Sequence, residues 1–131
     1  MSGVAGAALA GLSAGLRAPL WLRGRRWTEL LRPPASSRPG AAPARGSVRA
    51  SRAAIRWLAR LPGDTWRNTC LYRSVAECLV LRHYGVPAVV RIGVRPDDEP
   101  GAGILAHAWV VADPAAEPEP PDAMHPFPVG P

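Results

Sequence analysis

The sequence predicts an α+β fold in which a helix bearing both cysteines packs on a small antiparallel sheet, with a helical segment ahead of it. Three observations point there. Apolar residues recur at three- and four-residue steps through "NTCLYRSVAECLVLRHYG", Asn68 to Gly85. Past Gly85 the period falls to two, in "PAVVRIGV" and again in "ILAHAWVVA", with the turn-formers "RPDDEPGAG" between them. The closing "DPAAEPEPPDAMHPFPVGP" holds too many prolines to extend a sheet far, because each one removes a ladder donor.

A chain of 131 residues suits one domain, whose core buries roughly two thirds of the surface the unfolded chain exposes. Sixteen basic residues, every one an arginine, stand against ten acidic ones, a formal charge of +6. An all-arginine chain rich in Ala, Gly and Pro also fits a GC-rich genome, so the charge is weak evidence for a nucleic-acid partner and none is expected. Two cysteines without a convincing export signal suit a reducing compartment, and a cytoplasmic location is expected. The first charge, Arg17, follows the apolar run rather than preceding it as a signal peptide requires. The run itself is mostly Ala and Gly with Pro19 inside it, which predicts a packing helix and no membrane span.

The elements follow in order, and composition divides the chain at 1–31, 32–47, 48–113 and 114–131. From Val4 to Leu31 the pattern suits two short helices broken near Pro19, the second carrying Trp21, Trp27, Leu30 and Leu31. Residues 32–47 read as a flexible linker, too rich in Pro, Ser, Gly and Ala to bury much apolar surface. Ser47 is placed to cap a helix whose Val48, Ser51, Ile55, Leu58 and Leu61 share a face, with Arg49, Arg52, Arg56 and Arg60 forming a solvated surface. In the next helix Leu71, Val75, Cys78, Leu79 and Arg82 share a face, and Gly85 suits the left-handed residue that ends it. In the strands, Val90, Ile92 and Val94 fall on one face, and Leu105, His107, Trp109 and Val111 on one face of the second.

The cysteine helix raises a chemical question. Eight residues separate Cys70 from Cys78, about 12 Å along a helix axis. A disulfide needs roughly 4.4 to 6.8 Å between alpha carbons, so the two cannot bridge. No C-x-x-C is present, and His83 and His107 sit on different elements, so a metal site is poorly supported. Cys78 falls on the apolar face and reads as a small core hydrophobe. Cys70 occupies the first turn, with Asn68 or Thr69 available as the cap. There the helix dipole and unpaired amides favour thiolate over thiol, and the same amides can donate to an oxyanion.

Such a nucleophile needs a base. His125 lies in the proline-rich tail, and His83 lies some 20 Å away near the end of the same helix. His107 remains, mid-strand between Ala106 and Ala108, with Trp109 on the same face to shield it from water.

A cysteine at a helix start followed by a strand histidine is a recurring thiol-protease arrangement. "CLYRSVAECLVLRHYGVPAVVRIGVR" followed by "AHAWVV" resembles the leader peptidases of lasso-peptide biosynthesis, small bacterial members of the transglutaminase-like, papain-related superfamily. Their pattern is a Cys-Leu-x-Arg-Ser helix start, matched by Cys70, Leu71, Arg73 and Ser74, then a Gly-x-Pro-Ala turn at Gly85, Pro87 and Ala88. An Ile-Gly-Val-Arg strand follows at Ile92 to Arg95, and an Ala-His-Ala-Trp-Val strand at Ala106 to Val110. The resemblance covers roughly Leu58 to Ala112. It implies a transglutaminase-like cysteine protease core, with Cys70 as nucleophile and His107 as base. It also implies cleavage of a ribosomally made precursor after its leader, which frees the core peptide for a separate macrolactam-forming cyclase. The family holds the leader in a small recognition domain that is not visible here, so a separate leader-recognition protein is implied.

The family's acidic third member lies about twelve residues after the histidine, an offset that Glu119 matches among Pro118, Pro120 and Pro121. A chain reversing near Pro114 could instead return Asp122. Asp113 is a poor orienter, since six extended residues carry it about 20 Å from His107. A dyad without the acid retains some activity, because that residue chiefly sets the tautomer and orientation of the imidazole. No cofactor is expected, and no Gly-rich phosphate loop is present. Two other readings stay open: acyl transfer by the same dyad, and a non-catalytic protein that uses its arginines to bind an acidic peptide or nucleic acid.

Overall fold

A computed structural model describes residues 3–34, 45–62, 69–96, 99, 101, 103–112 and 125–126. Val4 to Arg23 form one 20-residue helix, α1, rather than two helices broken at Pro19. A proline inside a helix leaves the carbonyl four residues back without its amide partner. Here that carbonyl belongs to Gly15, and the hydroxyl of the fully buried Tyr72 donates to it at 2.9 Å. The freed acceptor is satisfied from another element, so the helix continues through the proline. The second predicted helix is a six-residue 3-10 helix, Arg26–Leu31, reached through Arg25 in the left-handed region at φ 59°. Its Leu30 is buried, and Trp27 and Leu31 pack on the core together with Trp21 of α1.

The small residues of α1 let a neighbour come close. Ala7, Gly11, Ala14, Gly15 and Ala18 form its buried stripe. Helix α2, Arg45–Ala59, lies so near that the Ser51 hydroxyl donates to the Ala7 carbonyl at 2.8 Å. A Cβ on Gly11 would stand 2.6 Å from the Ser51 carbonyl oxygen. The helix begins two residues before the Ser47 cap expected from the sequence, which places Ser47 within the first turn. Ser51, Ile55 and Leu58 are buried as their spacing predicts, whereas Leu61 lies past the helix end and is exposed.

Helix α3 spans Cys70–His83. Thr69 is its cap, its hydroxyl oxygen accepting the Tyr72 amide at 3.1 Å, while Asn68 lies outside the described residues. Gly85, at φ 82°, ends it: its amide donates to Arg82 and the Val86 amide to Leu81, each at 3.0 Å. That pair of bonds is a Schellman motif, in which only a residue without a Cβ sits unstrained. The buried surface of α3 is wider than the one face predicted. Tyr72, Ser74, Ala76, Val80 and Leu81 are buried as well as the predicted Val75, Cys78 and Leu79, because α1, α2 and the sheet all pack on the helix.

Strands β1, Val89–Pro96, and β2, Ile104–Val111, pair antiparallel, with Val90 opposite Val110 and Gly93 opposite His107. The tail adds β3, His125–Pro126, on the other side of β1, giving the order β2-β1-β3. Its two-residue length fits the proline content of the segment. Val90, Ile92 and Val110 join the helical core, and strand alternation therefore assigns Arg91, His107 and Trp109 to the opposite face. Two arginines fasten the 3-10 helix to this frame. Arg91 donates to the Leu31 carbonyl at 3.0 Å, and Arg82 donates to both the Arg32 and the Ala88 carbonyls.

Candidate active site

Packing α2 and α3 against the outer strand of the sheet leaves an open cleft of about 400 Å³. Cys70, Arg73, Ser74 and Glu77 line it from α3, spaced at the three- and four-residue steps that put side chains on one helical face. Arg52, Ile55 and Arg56 line it from α2, and residues 107–110 line it from β2. Cys70 and His107, which lie 37 positions apart, thus border the same space, and both are half-buried. Because β2 is an edge strand, residues from both of its faces reach the cleft.

The imidazole of His107 stacks on the Trp109 indole, with ring centroids 6.3 Å apart and planes 18° from parallel. Trp109 thus covers one side of the imidazole, the shielding its strand position predicts. Opposite His107 in the register stands Gly93, so the directly paired position of β1 puts no side chain against the ring. Among the described residues no carboxylate forms an ion pair with His107. Glu119, Asp122 and Asp113, the acids considered from the sequence, lie outside the described residues. His83 stands at the far end of α3, edge to face with Tyr84. His125 enters the sheet through β3, opposite Val94.

The two thiols are both free and differ in setting. Cys70 sits at the first residue of α3, where backbone amides lack intrahelical acceptors. Cys78 is fully buried, and its thiol donates to the Ala88 carbonyl at 3.4 Å. Burial pushes the Cys78 thiol from 9.0 up to about 11, against the opposing pull of the Arg82 guanidinium. In the native protein it stays a thiol at any physiological pH.

This shift fixes a pH dependence. Between pH 9 and 11 the unfolded chain loses the Cys78 proton while the native chain keeps it, so stability is full below pH 9 and falls as pH rises toward 11. Two units correspond to roughly 2 to 3 kcal/mol. Urea unfolding across pH 8 to 11.5 is expected to show this loss, and Cys78→Ala is expected to flatten it. An equal slope in the variant would assign the loss to other groups.

Three charged residues of the cleft escaped the sequence reading. Arg52 and Arg56 fall on the helix face predicted to be a solvated surface, and they are indeed exposed, but packing turns that face toward Cys70. Glu77 accepts from the Arg52 Nε at 2.9 Å and from a terminal guanidinium nitrogen at 2.6 Å, both at one carboxylate oxygen. The missed signal was the spacing Cys70, Arg73, Ser74, Glu77, which marks one face from the helix start onward.

A helix-start cysteine and a strand histidine border one cleft of an α+β fold, an arrangement consistent with a cysteine-peptidase type of framework. The chain belongs to the transglutaminase-like superfamily, whose family model matches residues 12–129. That superfamily includes cysteine proteases. The match takes in α1 beyond its first turns as well as α2, α3 and the sheet, elements that share one hydrophobic core. No curated protein and no solved structure matches the chain significantly. Among the described residues no helix is long and apolar enough to cross a membrane.

Proposed function

We propose that the protein is a cysteine peptidase that removes the leader from a ribosomally made lasso-peptide precursor. The observation that carries the peptidase reading is the shared cleft of Cys70 and His107 in a transglutaminase-like chain. The choice of substrate rests on the resemblance of the Cys70 and His107 motifs to the lasso-peptide leader peptidases. His107 takes the proton of the Cys70 thiol as sulfur attacks the scissile carbonyl, and first-turn amides of α3 donate to the oxyanion. The imidazolium returns that proton to the departing amine, leaving a thioester on Cys70 and the new amino terminus of the core peptide. His107 then deprotonates a water, which attacks the thioester and releases the leader carboxylate. Glu119 is the acid proposed to orient the imidazole, and Trp109 supports the ring through stacking.

A separate leader-recognition protein presents the precursor, and the macrolactam-forming cyclase consumes the product. Incubating the purified protein with precursor and the recognition protein is expected to yield one cleavage, at the leader–core junction, by mass spectrometry. An intact precursor under those conditions would remove the leader-peptidase reading.

A further inference from the structure

The cleft carries charge that peptide hydrolysis itself does not require. Of the three arginines bordering it, Arg52 is engaged by Glu77. Arg56 and Arg73 have no hydrogen-bond or ion-pair partner among the described residues. One comes from α2 and the other from α3, and both face the space that Cys70 and His107 border. With Arg52 and Glu77 cancelling, the wall presents two uncompensated guanidinium groups to whatever lies across the thiol.

Arg73 follows Cys70 by three residues, about 4.5 Å along the helix axis. An extended peptide advances roughly 3.3 Å per residue. A group held by Arg73 therefore belongs to a residue one or two positions from the scissile bond. Guanidinium groups bind carboxylates through paired, charge-assisted hydrogen bonds, and Arg56 offers a second set of donors from the facing helix.

We propose that Arg56 and Arg73 are specificity determinants, and that the preferred substrate carries an Asp or Glu side chain within two residues of the bond attacked by Cys70. The inference rests on the peptidase reading for its scissile bond, but binding and turnover are separable.

Short acetylated and amidated peptides of Ala and Gly with one central Glu, against their Gln counterparts, supply the probe, and amidation removes the terminal carboxylate as a competing source of charge. The readout is protection of Cys70 in the intact protein from iodoacetamide, with peptide cleavage followed by mass spectrometry in the same samples. The Glu peptide is expected to protect at about tenfold lower concentration. Arg73→Gln and Arg56→Gln should each shrink that difference, whereas Arg49→Gln, which removes the same charge outside the cleft, should leave it. Equal protection by Glu and Gln peptides, protection by neither, or equal loss in Arg49→Gln overturns the proposal. A Glu preference in protection without any cleavage sustains it and counts against the peptidase reading. Cleavage without a Glu preference does the reverse.

Discussion

Cys70→Ala is expected to abolish precursor cleavage, lowering turnover by at least about three orders of magnitude, as loss of a covalent nucleophile does. Cys78→Ala is expected to keep the rate within a few-fold. The contrast follows from position. Cys70 begins α3 and borders the cleft, while Cys78 is fully buried and spends its proton on the Ala88 carbonyl. Truncating Cys78 removes one buried sulfur, a core change that affects stability before it affects chemistry. Time courses of leader release by the two variants, each first checked for native circular dichroism, make the measurement. Equal loss in both variants would mean that Cys70 is not the nucleophile.

Gly11→Val is expected to produce the largest loss of stability. The added Cβ would stand 2.6 Å from the Ser51 carbonyl oxygen and 2.9 Å from the Ser51 Cα, both backbone atoms that no side-chain rotation can move. Relief requires α1 and α2 to separate, which also stretches the bond from the Ser51 hydroxyl to the Ala7 carbonyl. Overpacking of this kind costs about 1 to 3 kcal/mol, or roughly 5 to 15 °C in melting temperature for a domain of this size. Leu9→Ala, at an exposed position of the same helix, is expected to change stability by less than about 0.5 kcal/mol. A Gly11→Val protein that melts with the wild type would show that the two helices do not approach so closely.

What could be read from the sequence was whatever local pattern decides. The period change at Gly85 gave the α+β class, and the structure has it, with Gly85 in the left-handed conformation. The alternation in "AHAWVV" placed His107 and Trp109 together, and the rings stack. The failures arose where a distant residue decides. Pro19 looks like a helix breaker until Tyr72, 57 positions from Gly15, supplies the missing donor. Arg52 and Arg56 look like solvated charge until α2 packs beside the start of α3 and brings them to the cleft. The stripe of Ala and Gly in α1 signals close packing, but nothing local says that Ser51 is what it packs against. Among the site residues, Cys70 and His107 were singled out by element position, and they border one cleft. The acid has no comparable signal, since the residues after Asp113 form no recognisable strand pattern.

The proposed mechanism requires His107 to act on the Cys70 thiol. Its most direct test is the rate of iodoacetamide alkylation at Cys70, resolved from Cys78 by peptide mapping, in the wild type and in His107→Ala at neutral pH. Cys70 is expected to be modified first in the wild type, Cys78 to stay unmodified while the fold is intact, and His107→Ala to slow Cys70 by about tenfold or more. A Cys70 that reacts at the same rate with and without the imidazole would contradict it.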